Sequence, residues 1–380
     1  MRTPLKLLAL GTLLTLAVAC APSAPRGGAA AKPGPNPAGQ SAPAPLRAVY
    51  FAGKTVTLLV NYSPGGPTDV FARLLAQHLD KHIPGKPTII VENKPGAGGA
   101  VGINHHYNVS KKDGLTIGVF TPHFSGQILG AEGVQFDESK FLYLGATTES
   151  QVSFVSPSVG ARTMRDLATT SAEIVAGGLS PDSSKDMAVR TALNLMGAKY
   201  KYVTGYPGNS DIRAAFQRGE VNYVEESLTG WFTGVAPLVS AGNAIGLAQR
   251  GTARGGQIVR DSRVADIPTY LEVAVDLKGE AVKQSVDYRA MVSLIAMSAS
   301  SREIVYPPGT DPAVVETMRK AMVDTFADAE FQAAAEKMLA FQIDFLPGAE
   351  AQDLAERIVR DASQDPDALE YLKRLTREKN

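Results

Sequence analysis

The chain has 380 residues, with 38 basic and 38 acidic side chains, a formal net charge of zero and 44% hydrophobic residues. That balance, with no Lys/Arg stripe, excludes nucleic acid and any extended anionic surface as partners, and the length after residue 46 suffices for two domains with separate cores. One cysteine in the whole chain excludes an internal disulfide.

Residues 1–19 read as a secretory signal: Arg2 and Lys6 precede an apolar run over 7–18 that is too short for a comfortable membrane span. Small residues stand directly before Cys20, as in a bacterial lipobox, so cleavage there and lipid on the Cys20 sulfur are expected. Residues 20–46 are Pro, Ala, Gly and Ser with almost no charge and no apolar period. Such a segment is a tether, since it cannot bury enough apolar surface to offset the entropy of ordering. The expected location is therefore periplasmic or cell-surface, anchored to a membrane by lipid.

The run 56–60 reads as a buried strand, and Val70, Phe71, Leu74, Leu75 and Leu79 mark one face of a helix after it. Between them lies Pro64-Gly65-Gly66-Pro67-Thr68-Asp69. Gly66 falls at the helix N-cap and Pro67 at its first position, where a missing N–H costs nothing. The remaining amides of that first turn, with the positive end of the helix dipole, suit a carboxylate or phosphate. Asp69 is expected to cap its own turn; in contact with a ligand it would face a donor, because carboxylates repel.

A second glycine turn, Pro95-Gly96-Ala97-Gly98-Gly99, follows a strand over 88–91. Positive φ angles at Gly98 and Gly99 explain it, whereas a dinucleotide fingerprint needs the glycines to follow the strand at once, and Glu92-Asn93-Lys94-Pro95 intervene. Further strand runs at 116–120, 141–144, 173–176, 221–224 and 245–248 alternate with helical stretches, which predicts an α/β class with largely parallel sheets. His78 and His82 have metal-compatible spacing but no third ligand nearby, so solvated helix-face histidines are expected; the adjacent pair His105-His106 diverges on a helix. Asp311-Pro312 sets a cap and first-turn proline for a helix carrying Val314, Val315, Met318, Met322 and Phe326, with another helix over 329–339. Trp231 is assigned to the core or the cleft. No nucleophile constellation emerges, since Ser180 lacks the following glycine of a nucleophile elbow. No enzyme activity, cofactor or metal is expected.

With signal, tether and two glycine turns in hand, the chain resembles the substrate-binding receptors of tripartite tricarboxylate transporters, the Bug or TctC-type family. The resemblance spans nearly the whole mature chain. It rests on Tyr62-Ser63-Pro64-Gly65-Gly66-Pro67-Thr68-Asp69, Val91-Glu92-Asn93-Lys94-Pro95-Gly96-Ala97-Gly98-Gly99 and Lys112-Asp113-Gly114-Leu115-Thr116, then Gly219-Glu220-Val221-Asn222, Glu226-Ser227-Leu228, Ala265-Asp266-Ile267-Pro268-Thr269 and Pro308-Gly309-Thr310-Asp311-Pro312, in family order.

The resemblance implies a two-lobed, type II periplasmic-binding fold, each lobe a mixed, mostly parallel sheet flanked by helices. Lobe 1 is then expected over 47–145 and 246–380, and lobe 2 over 146–245. A ligand carboxylate would lie between Tyr62, Ser63, Gly65, Gly66, Thr68, Asp69, Thr121 and His123 of the first lobe and Ser180, Ser183 and Ser184 of the second, with Tyr206, Glu226 and Ser227 as further candidates. The implied function is capture of a small carboxylate-bearing solute by a monomer and its delivery to a membrane permease. A sensory or scaffold lipoprotein and an exported enzyme acting on a carboxylate are the alternatives. Two departures mark a divergent subgroup: Val203-Thr204-Gly205-Tyr206-Pro207-Gly208 replaces the usual Val-Pro-Tyr-Lys-Gly, and residues 297–308 are longer and more polar than the family's link.

Overall fold

Thirteen strands and thirteen α-helices are set out by the structure, a computed structural model that describes residues 50–254 and 257–378. The signal, Cys20 and the tether lie outside the described residues. In chain order the strands are β1 (Thr55–Val60), β2 (Thr88–Asn93), β3 (Thr116–Phe120), β4 (Leu142–Thr148), β5 (Gln151–Val155), β6 (Ile174–Gly177), β7 (Tyr200–Val203), β8 (Tyr223–Ser227), β9 (Ile245–Gln249), the hairpin β10 (Thr252–Arg254) and β11 (Gln257–Val259), β12 (Arg302–Tyr306) and β13 (Asp344–Pro347). The helices are α1 (Pro67–Ala76), α2 (Ala100–Asn108), α3 (Phe124–Leu129), α4 (Ser184–Met196), α5 (Asn209–Gln217), α6 (Leu228–Gly230), α7 (Ala236–Ser240), α8 (Tyr270–Lys278), α9 (Val286–Met297), α10 (Pro312–Ala327), α11 (Ala329–Leu339), α12 (Gly348–Asp361) and α13 (Pro366–Arg377).

One sheet has the order β13-β4-β12-β3-β1-β2 and the other β7-β6-β8-β5-β9. Parallel pairing is confined to β1 with β2 and β3, and to β6 with β7 and β8. β12 is antiparallel to both β3 and β4, β13 is antiparallel to β4, and β5 is antiparallel to β8 and β9. The sheets are therefore mixed, with more antiparallel pairing than strand–helix alternation suggests, because strands that cross from one sheet to the other enter against the local direction.

The crossings position everything that follows. β4 ends at Thr148 and β5 begins at Gln151, so the chain passes between sheets in the link Glu149-Ser150. The first sheet resumes only at β12. Although the sequence reading places 246–380 in the first lobe, β9 is a strand of the second sheet, and Tyr270, Leu271, Leu294, Ile295, Tyr371 and Leu372 from α8, α9 and α13 share one core with Met187 and Leu193 of α4. Burial of those apolar faces is what keeps these helices on the second sheet.

Local rules account for the helix starts. Gly66 is the N-cap of α1, with Pro67 in the first turn and Asp69 on the same turn. Asp311 accepts from Ala313 N ahead of Pro312 in α10, and Val314, Val315, Met318, Met322 and Phe326 are buried. His78, expected on a solvated face, is buried instead: α1 stops at Ala76, and the imidazole stands edge-on to Phe331 at 5.6 Å between centroids. His82 lies 3.0 Å from Asp328, and His106 is buried with Nε2 donating to the Val305 carbonyl at 3.1 Å. Trp231 is in the core against Phe154. No helix among the described residues is long and apolar enough to cross a membrane.

Candidate functional site

A cavity of about 50 Å³ lies where loops from the two sheets face each other. At roughly 10–15 Å³ for each water it holds about four. The first-sheet wall comes from the turn after β1 (Tyr62, Gly66, Pro67, Thr68), the loop after β3 (Thr121, Pro122) and the approach to β12 (Ser300, Ser301, Arg302). The second-sheet wall comes from Leu179, Ser183, Ser184 and Lys185 around the start of α4, with Asn209, Gln151, Ser227 and Arg250. Ser298 completes the lining.

The α1 turn is built by its own side chains. Gly65 has φ +76°, which favours glycine. Its N–H donates to Asp69 Oδ2 at 2.8 Å, where Arg73 Nε also donates at 2.8 Å, and Asn93 Nδ2 donates to Oδ1 at 3.0 Å. Burial pushes the Asp69 carboxyl up, but these bonds outweigh it and hold the group below the usual aspartate range. Asp69 thus shapes the turn and does not line the cavity. Thr68 Oγ1 meets Thr121 Oγ1 at 2.7 Å, and Asn61 fixes Thr121 by accepting from its N–H at 3.1 Å and donating to its carbonyl at 3.0 Å. The early amides of a helix have no intrahelical acceptor, so those of α1 remain for a ligand.

Opposite, the Ser183 hydroxyl accepts from Asp186 N at 3.2 Å as the N-cap of α4. Lys185, buried at 8% exposure, donates to Asn209 Oδ1 at 2.6 Å. Arg250 is committed to Glu225, at 3.1 and 2.5 Å, and to Ser298 Oγ at 3.0 Å. Arg302 Nη2 lies 3.1 Å from Glu149 and donates to Ser227 Oγ at 3.1 Å, while Nη1 donates to the Ser301 carbonyl at 2.6 Å. Its buried Nε has no partner among the described residues.

Of the residues singled out from sequence, Tyr62, Gly66, Thr68, Thr121, Ser183, Ser184 and Ser227 line this one cavity. Ser63, Gly65, Asp69, His123, Ser180, Tyr206 and Glu226 do not. Glu226 is fully buried and paired with Arg213 at 2.7 and 2.9 Å. Tyr206 is half-buried against the apolar core. His123 Nε2 stands 3.2 Å from Asp182 Oδ2, Ser180 Oγ donates to Asp182 Oδ1, and Ser125 Oγ donates to the Asp182 carbonyl at 2.9 Å. Asp182 belongs to the β6–α4 loop and His123 to the β3–α3 loop, so these groups join the two sheets' loops beside the cavity.

Sequence reasoning passed over Lys185, Asn209, Gln151, Arg250 and Arg302. A signal existed for one of them: the polar stretch over 297–308, noted as a departure, brings Ser298, Ser300, Ser301 and Arg302 to the wall. The others are charged or amide residues that ordinary surface positions carry equally well.

Two mixed β-sheets flanked by helices and joined by short crossings, with a donor-lined cavity between their loops, have the two-lobed fold of periplasmic binding proteins. The chain belongs to the family described as tripartite tricarboxylate transporter family receptor, whose pattern matches residues 71–369. A UPF0065 protein from the gbd 5′ region of Cupriavidus necator is 27% identical over 290 residues, covering 73% of this chain and 76% of that protein. BugT of Bordetella pertussis is 38% identical over 74 residues, 20% of this chain and 22% of its own. Among solved structures, the periplasmic binding protein BugD superposes with TM-score 0.64 at 18% identity, over 86% of this chain and 99% of its own. MatC from Rhodopseudomonas palustris with bound malate gives 0.62 at 17% identity, over 85% and 99%. An R. palustris protein with adipate gives 0.63 at 18% identity, over 85% and 97%.

Proposed function

We propose that this protein is an extracytoplasmic receptor, anchored by lipid on Cys20, that captures a small carboxylate-bearing solute between its lobes and delivers it to the permease of a tripartite tricarboxylate-type transporter. One observation carries the reading: the starts of α1 and α4, approached from opposite sheets, line the same cavity. Two helix N-termini, with the hydroxyls of Thr68 in the first turn of α1 and of Ser183 and Ser184 at the start of α4, supply amide and O–H donors to an anion. The malate and adipate in the two R. palustris proteins support a carboxylate as the class of solute.

In this reading no bond is made or broken. The lobes, 50–148 with 302–361 and 151–297 with 366–377, close about the Glu149-Ser150 link. A thermal-shift screen of the purified protein against mono-, di- and tricarboxylates, amino acids and aromatic acids tests it. A true ligand at a hundredfold excess over Kd stabilises by about 2.7 kcal/mol, and Gly66→Asp abolishes the shift by placing a carboxylate at the α1 start. No shift from any acid removes the carboxylate reading. Co-purification of a multi-spanning permease from native membranes tests delivery, and its absence there removes that step.

A further inference from the structure

Lys185 is a buried ammonium with one hydrogen bond among the described residues. Its 2.6 Å contact with Asn209 Oδ1 uses one of three N–H donors, and among the described residues no carboxylate comes within ion-pair distance of Nζ. The carboxylates around it are engaged elsewhere. Asp186, its neighbour in sequence, accepts from Leu179 N, Tyr202 and Thr204. Glu225 is held by Arg250, Glu226 by Arg213 and Glu149 by Arg302. Removing an ammonium from water without a counter-charge is costly, and burial accordingly depresses the Lys185 pKa, with Asp186, Glu226 and Glu225 acting in the opposite sense. A second unpartnered donor belongs to the facing wall: Arg302 is 3% exposed, and its buried Nε has no partner among the described residues. Both side chains line the cavity.

We infer that Lys185 is the specificity-determining residue of the receptor: its ammonium pairs directly with an anionic oxygen of the bound solute, with Arg302 Nε as the second donor. This rests on the carboxylate reading and adds to it that the solute's charge, and not only its hydrogen-bonding shape, is recognised. A neutral amide of the same outline would leave the ammonium buried and unpaired, and is rejected for that reason. The two helix starts alone do not discriminate as steeply, because backbone N–H groups donate to carbonyl oxygens as well as to carboxylates.

The test is calorimetric titration of acetate, lactate, malonate, succinate, malate and adipate, each beside its amide, into the wild type and the Lys185→Gln, Lys185→Arg and Lys185→Met variants. Wild type is expected to bind at least one acid and to reject its amide. Lys185→Gln is expected to lose about 30-fold or more in affinity for the acid and to bring the acid-to-amide ratio close to one, with Lys185→Arg retaining most of both. Acid binding by Lys185→Gln within about threefold of wild type overturns the inference. Binding of none of the acids by wild type overturns the carboxylate reading itself, which is a different result. A ligand-free readout separates recognition from scaffolding. Lys185→Met should melt at or above the wild-type temperature, since it removes an uncompensated buried charge. A lower melting temperature together with unchanged selectivity in Lys185→Arg and Lys185→Gln would mean that Lys185 merely braces Asn209.

Discussion

Gly98 and Ser180 face each other so closely that a β-carbon on Gly98 would stand 2.4 Å from Ser180 Oγ. Gly98 comes from the turn after β2 and Ser180 from the loop after β6, so bare backbone of one sheet's loop rests on a side chain of the other's. Gly98 also has φ +60°. Only glycine meets both demands.

Gly98→Ala should therefore act twice. The left-handed conformation costs an alanine about 1–2 kcal/mol in any state. The overlap with Ser180 adds about 1–3 kcal/mol to the closed arrangement alone, lowering solute affinity by about 5- to 150-fold. Titration with the best solute of the screen, together with small-angle scattering, checks this; wild-type affinity and compaction in the variant would refute it.

Asp182→Asn tests the rim contacts. The variant removes the charged partner of His123 while the Ser125 bond to the Asp182 carbonyl remains. The loss should be about 1 kcal/mol and should be read as dissociation about fivefold faster with little change in association. Stopped-flow fluorescence of Trp231 follows it, and an unchanged dissociation rate argues against a rim latch.

Glu226→Ala separates a scaffold role from a ligand role. Its ion pair with Arg213 is buried on the glutamate side, and breaking it should cost about 2–4 kcal/mol of stability. Solute affinity at a temperature where the variant is folded should change less than about threefold, and Glu226→Gln with Arg213→Met should recover part of the stability. An affinity loss above tenfold with an unchanged melting temperature would restore Glu226 to the ligand site.

Stability should decline towards alkaline pH. Tyr143 and Ser300 donate to Glu303 Oε1 at 2.9 and 3.3 Å, His123 N donates to Glu138 Oε1 at 2.6 Å, and the other oxygen of each carboxyl has no partner among the described residues. Burial raises Glu303 to about 8; burial and then the Glu303 charge raise Glu138 above its ordinary range. The folded state thus keeps a proton that the unfolded chain releases. The contribution is complete below the ordinary value of 4.5 and is lost as pH rises through about 8. Denaturation midpoints from pH 5 to 9 should fall in the wild type and flatten in Glu303→Gln. His106, which burial holds at about 4, has the opposite effect, its contribution being complete above 6.5 and lost as pH falls through about 4.

What the sequence made legible is local. The Gly66 cap, Pro67, the positive φ of Gly98 and Gly99 and the span of α11 follow from rules acting within one turn of chain. β12 was missed because it opens with Arg302 and Glu303, charges that break an apolar run, yet every residue in it is buried. Its burial depends on Glu149, Ser227 and Tyr143, which lie far off in sequence. For the same reason Lys185 was invisible: whether a carboxylate stands within ion-pair reach of an ammonium is a property of the folded neighbourhood. His123 and Ser180 sit in the loops anticipated for them but face the other sheet's loop, which depends on how the sheets approach.

The ion pair of Glu149 with Arg302 joins one inter-sheet crossing to the first residue of β12, and Glu149 also accepts from Thr229 N and Oγ1 at 2.7 and 2.9 Å. For the lobe closure proposed above, a pin at that place would serve as the fulcrum of a lever. In the proposed closure Arg302 and Ser227, bonded to each other beside this pin, are the groups that would travel least. On that reading an arriving solute would meet an Arg302 already held in place by Glu149.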